Sequence, residues 1–180
     1  DTAIEYASIL IDDKKNTFKL ADAKTKYNAD YTFFDYMWAY DLSYEIIWRI
    51  GFTETSYGSP LGTVFLNFTK DLTYYYPDYV PATAALNLYD AADLRYSGYF
   101  AGKEQGITIG YTNGLDWPML VKYYGNRNFT SKLIFHVSMP KPFRLAEQYL
   151  IRAEAYCRKN DFTKAGNDLT ALRKMRYASG

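Results

Sequence analysis

The side chains of this 180-residue chain that could carry out chemistry are few, and its single cysteine and single histidine are the best candidates for a nucleophile and a base. Cys157 follows Ala153 by four residues, which predicts a place on the apolar face of a helix. A thiol in apolar surroundings has a raised pKa and is a poor nucleophile. One cysteine and His136 also supply too few ligands for an ordinary zinc site. The sequence therefore predicts neither a catalytic cysteine nor a bound metal, although a calcium site made only of oxygen ligands stays open.

Pairs of carboxylates give a second possible chemistry. Glu147 and Glu154 are seven residues apart, which puts them on one face of a helix at about 10.5 Å along its axis. The two carboxyl groups of glycosidases are about 5 to 9.5 Å apart, so solvation is the better interpretation. Glu154 can instead pair with Arg158, four residues further on. In the pattern Asp93-x-Arg95 we expect the two charges to fix the conformation of the local chain. Because none of these cysteine, histidine or carboxylate side chains forms a convincing catalytic group, the sequence predicts a protein that is not an enzyme.

Tyrosine is the residue type in surplus, with 20 Tyr, 11 Phe and 3 Trp residues among 180. Many of these rings lie in segments rich in Pro, Gly, Asn and Asp. An exposed ring can stack on the C–H face of a pyranose while amide and carboxylate oxygens bind its hydroxyls. The predicted ligand-binding residues are Tyr57, Tyr74, Tyr75, Tyr79, Asn113, Asp116 and Trp117.

The alternative for these rings is a tyrosine-rich core with hydrogen-bonded hydroxyl groups. Neighbouring residues of an extended chain face opposite sides, so Tyr74 and Tyr76 oppose Tyr75. At least one of the three is therefore expected in the core. Trp38 and Trp48, which lie in periodic segments, are expected there as well.

Charge and composition exclude several classes of function. Lys and Arg number 21 against 20 Asp and Glu, and a net charge of +1 gives no basic surface for nucleic acid or an anionic membrane. No apolar run approaches the ~20 residues of a membrane span. Gly102, Gly106 and Gly110 match no nucleotide-binding motif, and no cofactor is expected.

Hydrophobic periodicity predicts a pair of antiparallel helices in the last third of the chain. The apolar positions of its first helix are Ala146, Tyr149, Leu150, Ala153 and Cys157. Asn160 and Asp161 supply a turn and a helix cap before a second periodic run. That run contains Phe162, Ala165, Leu169 and Leu172. The alanines and the N-D-F-x-x-A start of the second helix are typical of tetratricopeptide repeats.

The remainder of the chain is predicted to combine one N-terminal helix with a loop-rich region. Ala3 to Ile11 form an apolar helical stripe, with a capping-box pattern at Thr2. Residues 51–139 contain turns and alternating apolar residues, which predict short strands near 107–111 and 133–139.

Several of these segments resemble the SusD/RagB family of bacterial surface glycan-binding proteins. Residues 144–155, RLAEQYLIRAEA, resemble the family's R-(L/I)-A-E-x-Y-L-I-x-A-E-A. Four further segments follow the family's order: the N-terminal helix with Phe18-Lys19-Leu20, residues 45–50 (EIIWRI), residues 87–100 with their D-x-R, and Val121-Lys122-Tyr123. The resemblance covers nearly the whole chain, but the family's lipoprotein cysteine, N-terminal repeat helices and C-terminal segments have no counterpart.

The resemblance implies a mainly α, SusD-like fold with a tetratricopeptide-type helix pair and a loop-rich region containing short strands. It also implies capture of oligosaccharides at the outer membrane and delivery to a SusC-like TonB-dependent transporter, with a lipid anchor outside this chain. Residues 1–180 are then expected to form a single domain, part of a larger protein. Two other hypotheses stay open: a helical-repeat module that binds another protein, and a glycan-active enzyme. Exposed loop aromatics would favour the sugar, and an apolar groove on the helix pair would favour a peptide.

Overall fold

The computed structural model describes residues 2–56, 60–68, 74–110 and 116–179. The fold is mainly α. Its helices are α1 (Thr2–Ile11), α2 (Phe33–Tyr40), α3 (Thr83–Leu86), α4 (Arg95–Tyr99), α5 (Arg127–Thr130), α6 (Leu145–Arg158) and α7 (Phe162–Lys174). The strands are β1 (Ile46–Trp48), β2 (Phe100–Ala101), β3 (Met119–Leu120) and β4 (Phe143–Arg144). Within the described ranges, no helix is both long and apolar enough to cross a membrane.

Three long helices form one layer, in which α6 packs against α1 on one side and α7 on the other. The predicted helix pair is therefore present as α6 and α7. Asn160 has a φ of +60°, and the Asp161 carboxylate accepts a hydrogen bond from the Lys164 N–H at 3.1 Å, which caps α7. Buried Ala7, Ala153 and Ala165 lie where the helices meet, and their small side chains allow close packing.

The inward face of α6 differs from the predicted one. Leu145, Ala146, Arg152 and Ala153 are buried, whereas Leu150 is 49% exposed and Cys157 is exposed. The prediction of a buried Cys157 was wrong because it assigned the inward face by apolarity alone. A charged residue occupies that face, since Arg152 pairs with Asp168 of α7 and with Asp12, just after α1.

An aromatic core surrounds α2. The helix begins with a capping box in which Thr32 and Asp35 each bond the other's backbone N–H. Phe34, Met37 and Trp38 are buried against Ala21 and Ala23, so the prediction of a core position for Trp38 is confirmed.

The corresponding prediction for Trp48 is wrong, because its side chain is 51% exposed. Trp48 lies on β1, which pairs antiparallel with β4 alone in a two-stranded sheet. Its ring lies 5.8 Å from that of Phe143, which is also 51% exposed. A two-stranded ribbon at the surface has one face that no other element covers.

A second core supports the loop-rich region. It contains Leu66, Tyr75, Ile109 and Met119, and Trp117 packs at its edge. Strands β2 and β3 pair antiparallel, while Tyr75 forms single bridges with Phe68 and Ile109. The region thus has short strands, as predicted.

The strand expected near residues 133–139 is absent, although all seven residues are described. Leu133 and His136 have φ values of +64° and +66°, which interrupt an extended chain. Of the strand predicted at 107–111, Ile109 forms one bridge, and Tyr111 lies outside the described residues.

Buried carboxylates connect distant parts of the chain. Glu45 is fully buried and accepts hydrogen bonds from the Ala21 N–H at 2.7 Å, Arg144 at 3.0 Å and Arg176 at 2.6 Å. The segments at 45–50 and 144–155 therefore meet through one ion pair.

Asp93 has the structural role predicted for it, because it binds the Arg95 guanidinium and backbone N–H. Burial raises the pKa of the Asp93 carboxyl, but these bonds outweigh burial and hold the pKa below its ordinary value.

Candidate functional site

The loop aromatics divide between the surface and the core. Tyr79 is 68% exposed and Tyr74 is 41% exposed, so both offer ring surface to a ligand. The backbone at Tyr79 is fixed, because its N–H and that of Asp78 donate to the carbonyl oxygen of Val64. An exposed ring on an anchored backbone loses little conformational freedom when a ligand stacks on it.

Tyr75 does not present a ring to solvent. Its side chain is 5% exposed, and its ring centroid lies 4.8 Å from that of Phe68 and 6.5 Å from that of Tyr124. Desolvation, with the neighbouring Tyr124 hydroxyl, raises the pKa of the Tyr75 phenol. The expectation of an exposed Tyr75 was wrong, because alternation along the chain turns this ring inward while Tyr74 faces out.

Trp117 is half-buried and lies between the segment that carries Tyr79 and its own neighbour Asp116. Its indole Nε1–H donates to the Pro81 carbonyl oxygen at 2.9 Å, which places the ring beside the segment that carries Tyr79. Asp116, next to it in sequence, is exposed and accepts a long hydrogen bond of 3.4 Å from the Lys103 N–H. Tyr57 and Asn113, the other predicted ligand residues, lie outside the described residues.

We define the loop aromatic patch as Tyr79 and Trp117 with the adjacent Asp78 and Asp116, together with the exposed Tyr74, which lies five residues before Tyr79 in the sequence. It combines exposed ring surface with carboxylates that carry free acceptor oxygens, since Asp78 and Asp116 are both exposed. Rings stack on the C–H face of a sugar, and carboxylates accept hydrogen bonds from its hydroxyls. The patch therefore combines the two kinds of contact that a sugar can make, ring stacking and hydrogen bonds to carboxylates.

Both ring nitrogens of the histidine contact backbone groups. His136 is 4% exposed, its Nε2 accepts from the Phe68 N–H at 2.8 Å, and its Nδ1 lies 3.1 Å from the Tyr124 carbonyl oxygen. A neutral ring with the proton on Nδ1 satisfies both contacts. Burial lowers the pKa of the imidazole, which favours that neutral form. Both ring nitrogens are thus engaged in holding the loop region together.

Metal ligands do not converge in the described part of the chain, where no group of three or more His, Cys, Asp or Glu side chains could hold an ion. The exposed Glu154 pairs with Arg158 at 2.6 Å, as the four-residue spacing predicted.

A second aromatic surface was missed at the sequence level. Tyr36 and Tyr40 stack at 4.6 Å on α2, and Tyr27, 49% exposed, lies 3.9 Å from Tyr36. The four-residue spacing of Tyr36 and Tyr40 on a helix was the available signal. Tyr27 comes from a preceding loop, so its place in the stack depends on tertiary folding.

Comparison with solved structures identifies the fold. The chain matches a surface glycan-binding protein A from Bacteroides uniformis with a TM-score of 0.67 and 16% sequence identity. That match covers 99% of this chain and 38% of the other. The chain has a SusD-like fold. A SusD superfamily protein from Bacteroides thetaiotaomicron VPI-5482 matches this SusD-like chain with the same TM-score, 17% identity and coverage of 97% and 37%.

The SusD-like chain thus spans less than two fifths of the length of these two proteins. No family model matches the sequence. No curated protein matches it either. The mainly α, SusD-like fold predicted from the sequence segments is confirmed, and at this level of identity the likeness concerns the fold alone.

Proposed function

We propose that this protein binds oligosaccharides at the bacterial cell surface without chemically changing them, and that the loop aromatic patch forms part of the binding site. The observation that carries the proposal is the pairing of an anchored, 68% exposed Tyr79 with a Trp117 held beside the same segment. The SusD-like fold supports it, because one protein with this fold is named as a surface glycan-binding protein.

A binding role fits the chemistry of the candidate residues better than catalysis does. His136 uses both ring nitrogens to hold backbone groups. The exposed Cys157 lies on α6, outside the loop region to which His136 belongs. Glycoside hydrolysis needs two carboxyl groups on either side of the bond that is cut, one of them with a raised pKa. Neither Asp78 nor Asp116 is buried, and exposed carboxylates suit hydrogen bonding to hydroxyls better than proton donation.

The resemblance to SusD/RagB proteins extends the proposal to partner and location. On that basis the ligand is passed to a SusC-like TonB-dependent transporter at the outer membrane. A lipid anchor outside these residues would then hold the protein at the cell surface.

A second function has its own supporting observation. Large apolar side chains on the outer sides of α6 and α7 are exposed, at 49% for Leu150, 66% for Phe162 and 42% for Leu169. Exposed apolar surface of this kind is found where helical repeats bind another protein. The alternative is therefore a helical-repeat interaction module.

Replacement of single rings tests the first proposal. The first step is a glycan array that identifies an oligosaccharide bound by the protein. Tyr79→Ala should then weaken binding of that sugar by about 1 to 3 kcal/mol, by analogy with stacking of bases on aromatic rings. Trp117→Phe, which keeps most of the packing, should weaken it as well. Isothermal titration calorimetry measures the affinities.

Tyr44→Ala is the matched control, because Tyr44 is also 68% exposed but lies outside the loop aromatic patch. It should leave the affinity unchanged and, like Tyr79→Ala, should melt close to the wild type. Trp117→Phe loses the hydrogen bond to the Pro81 carbonyl, so it should stay folded and melt at a lower temperature. Unchanged affinity of Tyr79→Ala and Trp117→Phe would place the sugar site elsewhere. Incubation should also leave the oligosaccharide at its original length, and the appearance of shorter products would contradict the non-catalytic role.

A further inference from the structure

A pocket of about 230 Å³ lies beside α2, and the charged side chains that line it are all cationic. Trp38 contributes one wall. Lys122, Lys141 and Arg144 supply the charges, and Ser138 adds a hydroxyl group. No carboxylate is among the lining residues in the described part of the chain. The polar part of the lining is therefore positively charged, and the rest of it is apolar or aromatic, with Leu61, Tyr123, Met139, Pro140 and Pro142.

Two of the three cations have carboxylate partners. Lys141 pairs with Asp41, and Arg144 pairs with Glu45 at 3.0 Å. Those carboxylates are already shared: Asp41 also accepts from the Asn126 side chain at 2.8 Å, and Glu45 also binds Arg176 at 2.6 Å. Neither is left with a free oxygen for a further cation.

Lys122 is the cation without a carboxylate partner among the described residues. Its Nζ lies 4.3 Å from the centroid of the Trp38 ring and 4.7 Å from that of Tyr99. Ring faces attract a cation but do not neutralise its charge. Burial, together with the charges of Arg144 and Lys141, lowers the pKa of the Lys122 ammonium to about 8. At neutral pH the pocket therefore keeps an unbalanced positive charge.

Two donors at the same pocket are unused. The Trp38 indole Nε1 and the Ser138 hydroxyl are buried and have no hydrogen-bond partner in the described structure. Trp38 is 8% exposed and Ser138 is 3% exposed. Buried polar groups in native proteins are normally paired, so unpaired donors on two residues that line the pocket make this region favourable for a hydrogen-bond acceptor.

We propose that this pocket binds a small oxyanion, the carboxylate or sulfate group that acidic sugars carry. Lys122 supplies the counter-charge, and the Ser138 hydroxyl, turned toward the pocket by rotation of its side chain, donates to an oxygen. The Trp38 ring, which lies against Lys122, reports on the bound anion. Lys141 and Arg144 add positive potential while staying paired with their own carboxylates. The anion site stands by itself, whereas its assignment to an acidic sugar rests on the proposed glycan binding.

Anion binding is tested by titration of the whole protein in a buffer free of sulfate, phosphate and carboxylates. Sodium sulfate and sodium glucuronate are the two probes, and glucose is the neutral control. The indole N–H resonance of Trp38, assigned by its loss in Trp38→Phe, should shift with the anions and stay in place with glucose. Glucuronate binding supports a carboxylated sugar, and sulfate binding with no response to glucuronate supports a sulfated one. Absence of a shift with both anions overturns the site.

Lys122→Met is the decisive variant and Lys174→Met is its control, because Lys174 is exposed on α7. Loss of a counter-charge should weaken anion binding at least about tenfold in Lys122→Met and leave it unchanged in Lys174→Met. Equal affinities in the two variants overturn the proposal.

Stability separates this role from a purely structural one. Removing a partly buried, unpaired charge also removes its desolvation cost, so Lys122→Met should melt at or above the temperature of the wild type. If Lys122 only stabilises Trp38 through its ring contacts, Lys122→Met should melt at a lower temperature than the wild type and bind the anion equally well. If Lys122→Met does not fold, Ser138→Ala takes its place and should weaken anion binding several-fold.

Failure of the glycan proposal is distinguishable from failure of the anion site. Tyr79→Ala should reduce binding of a neutral oligosaccharide and leave the response to inorganic sulfate as in the wild type. A protein that binds sulfate through Lys122 but no sugar keeps the anion site and loses the acidic-sugar assignment.

Discussion

Cys157 shows how the exposure of one residue depends on whether its own turn of the helix is covered. Its apolar neighbours in sequence predicted a buried thiol, yet the inward side of α6 runs through Ala146, Arg152 and Ala153. Cys157 lies in the last turn of α6, one turn beyond the buried Ala153 and next to the exposed Arg158, where its side chain is exposed. The thiol is therefore accessible to reagents in the folded protein.

Alkylation of the native protein checks this accessibility. We expect Cys157 to react with iodoacetamide at a rate within a few-fold of that measured in concentrated urea, because no packed side chain shields it. Cys157→Ala should change the free energy of unfolding by less than about 0.5 kcal/mol, as is usual for surface substitutions. A native rate more than about tenfold slower than the unfolded rate would show that the thiol is covered.

At the scale of elements, Arg152 joins the three long helices. Its guanidinium binds Asp168 of α7 through two hydrogen bonds of 2.8 and 2.7 Å. It also binds Ser8 of α1 at 3.0 Å and Asp12, just after α1, at 2.7 Å. The hydrogen bonds from Arg152 to Asp168 raise the pKa of the guanidinium above its ordinary value, so Arg152 stays charged. A buried charge of this kind depends on its partners for stability.

Asp168 and Asp12 should contribute unequally to the free energy of unfolding. The Asp168 side chain is 7% exposed, and Asp168→Asn leaves the buried guanidinium without its counter-charge. We expect a loss of about 3 kcal/mol in the free energy of unfolding, measured by urea denaturation. The side chain of Asp12 is 62% exposed, so Asp12→Asn should cost less than about 1 kcal/mol. Equal costs for the two substitutions would contradict a structural role for the buried pair.

The whole molecule carries an exposed apolar surface on its helical layer. Six large side chains on α1, α6 and α7 are between 38% and 66% exposed. They are Tyr6, Ile9, Leu150, Ile151, Phe162 and Leu169. Contiguous apolar surface on a helical repeat promotes association. The prediction that residues 1–180 are part of a larger SusD-like protein would account for this surface.

Expression of residues 1–180 alone tests that interpretation. We expect the 180-residue protein to self-associate, with a sedimentation coefficient that rises with concentration. Replacement of Ile151 and Leu169 with Gln should reduce the association, because it removes apolar area from the outer sides of α6 and α7. Tyr44→Gln is the control, since Tyr44 is exposed outside the helical layer. A stable monomer at all concentrations would show that the helical layer is complete as it is.

The sequence by itself determined the features that depend on neighbouring residues. The periodicity of α6 and α7 and the cap at Asp161 are local, and so is the Asp93-x-Arg95 contact, so all three were predicted correctly. The order of the resembling segments also predicted the SusD-like fold. These features need only the 3.6-residue helical period and short-range hydrogen bonds.

Only the tertiary structure decided which side of each element is covered. Trp48 is exposed because β1 pairs with β4 alone, and Tyr75 is buried because Phe68 and Tyr124 enclose its ring. The charge on Lys122 is unbalanced because Asp41 and Glu45 are already bound to cations brought from residues 141, 144 and 176. Burial and ion pairing are set by contacts between residues far apart in the chain, and no local pattern specifies which of them meet.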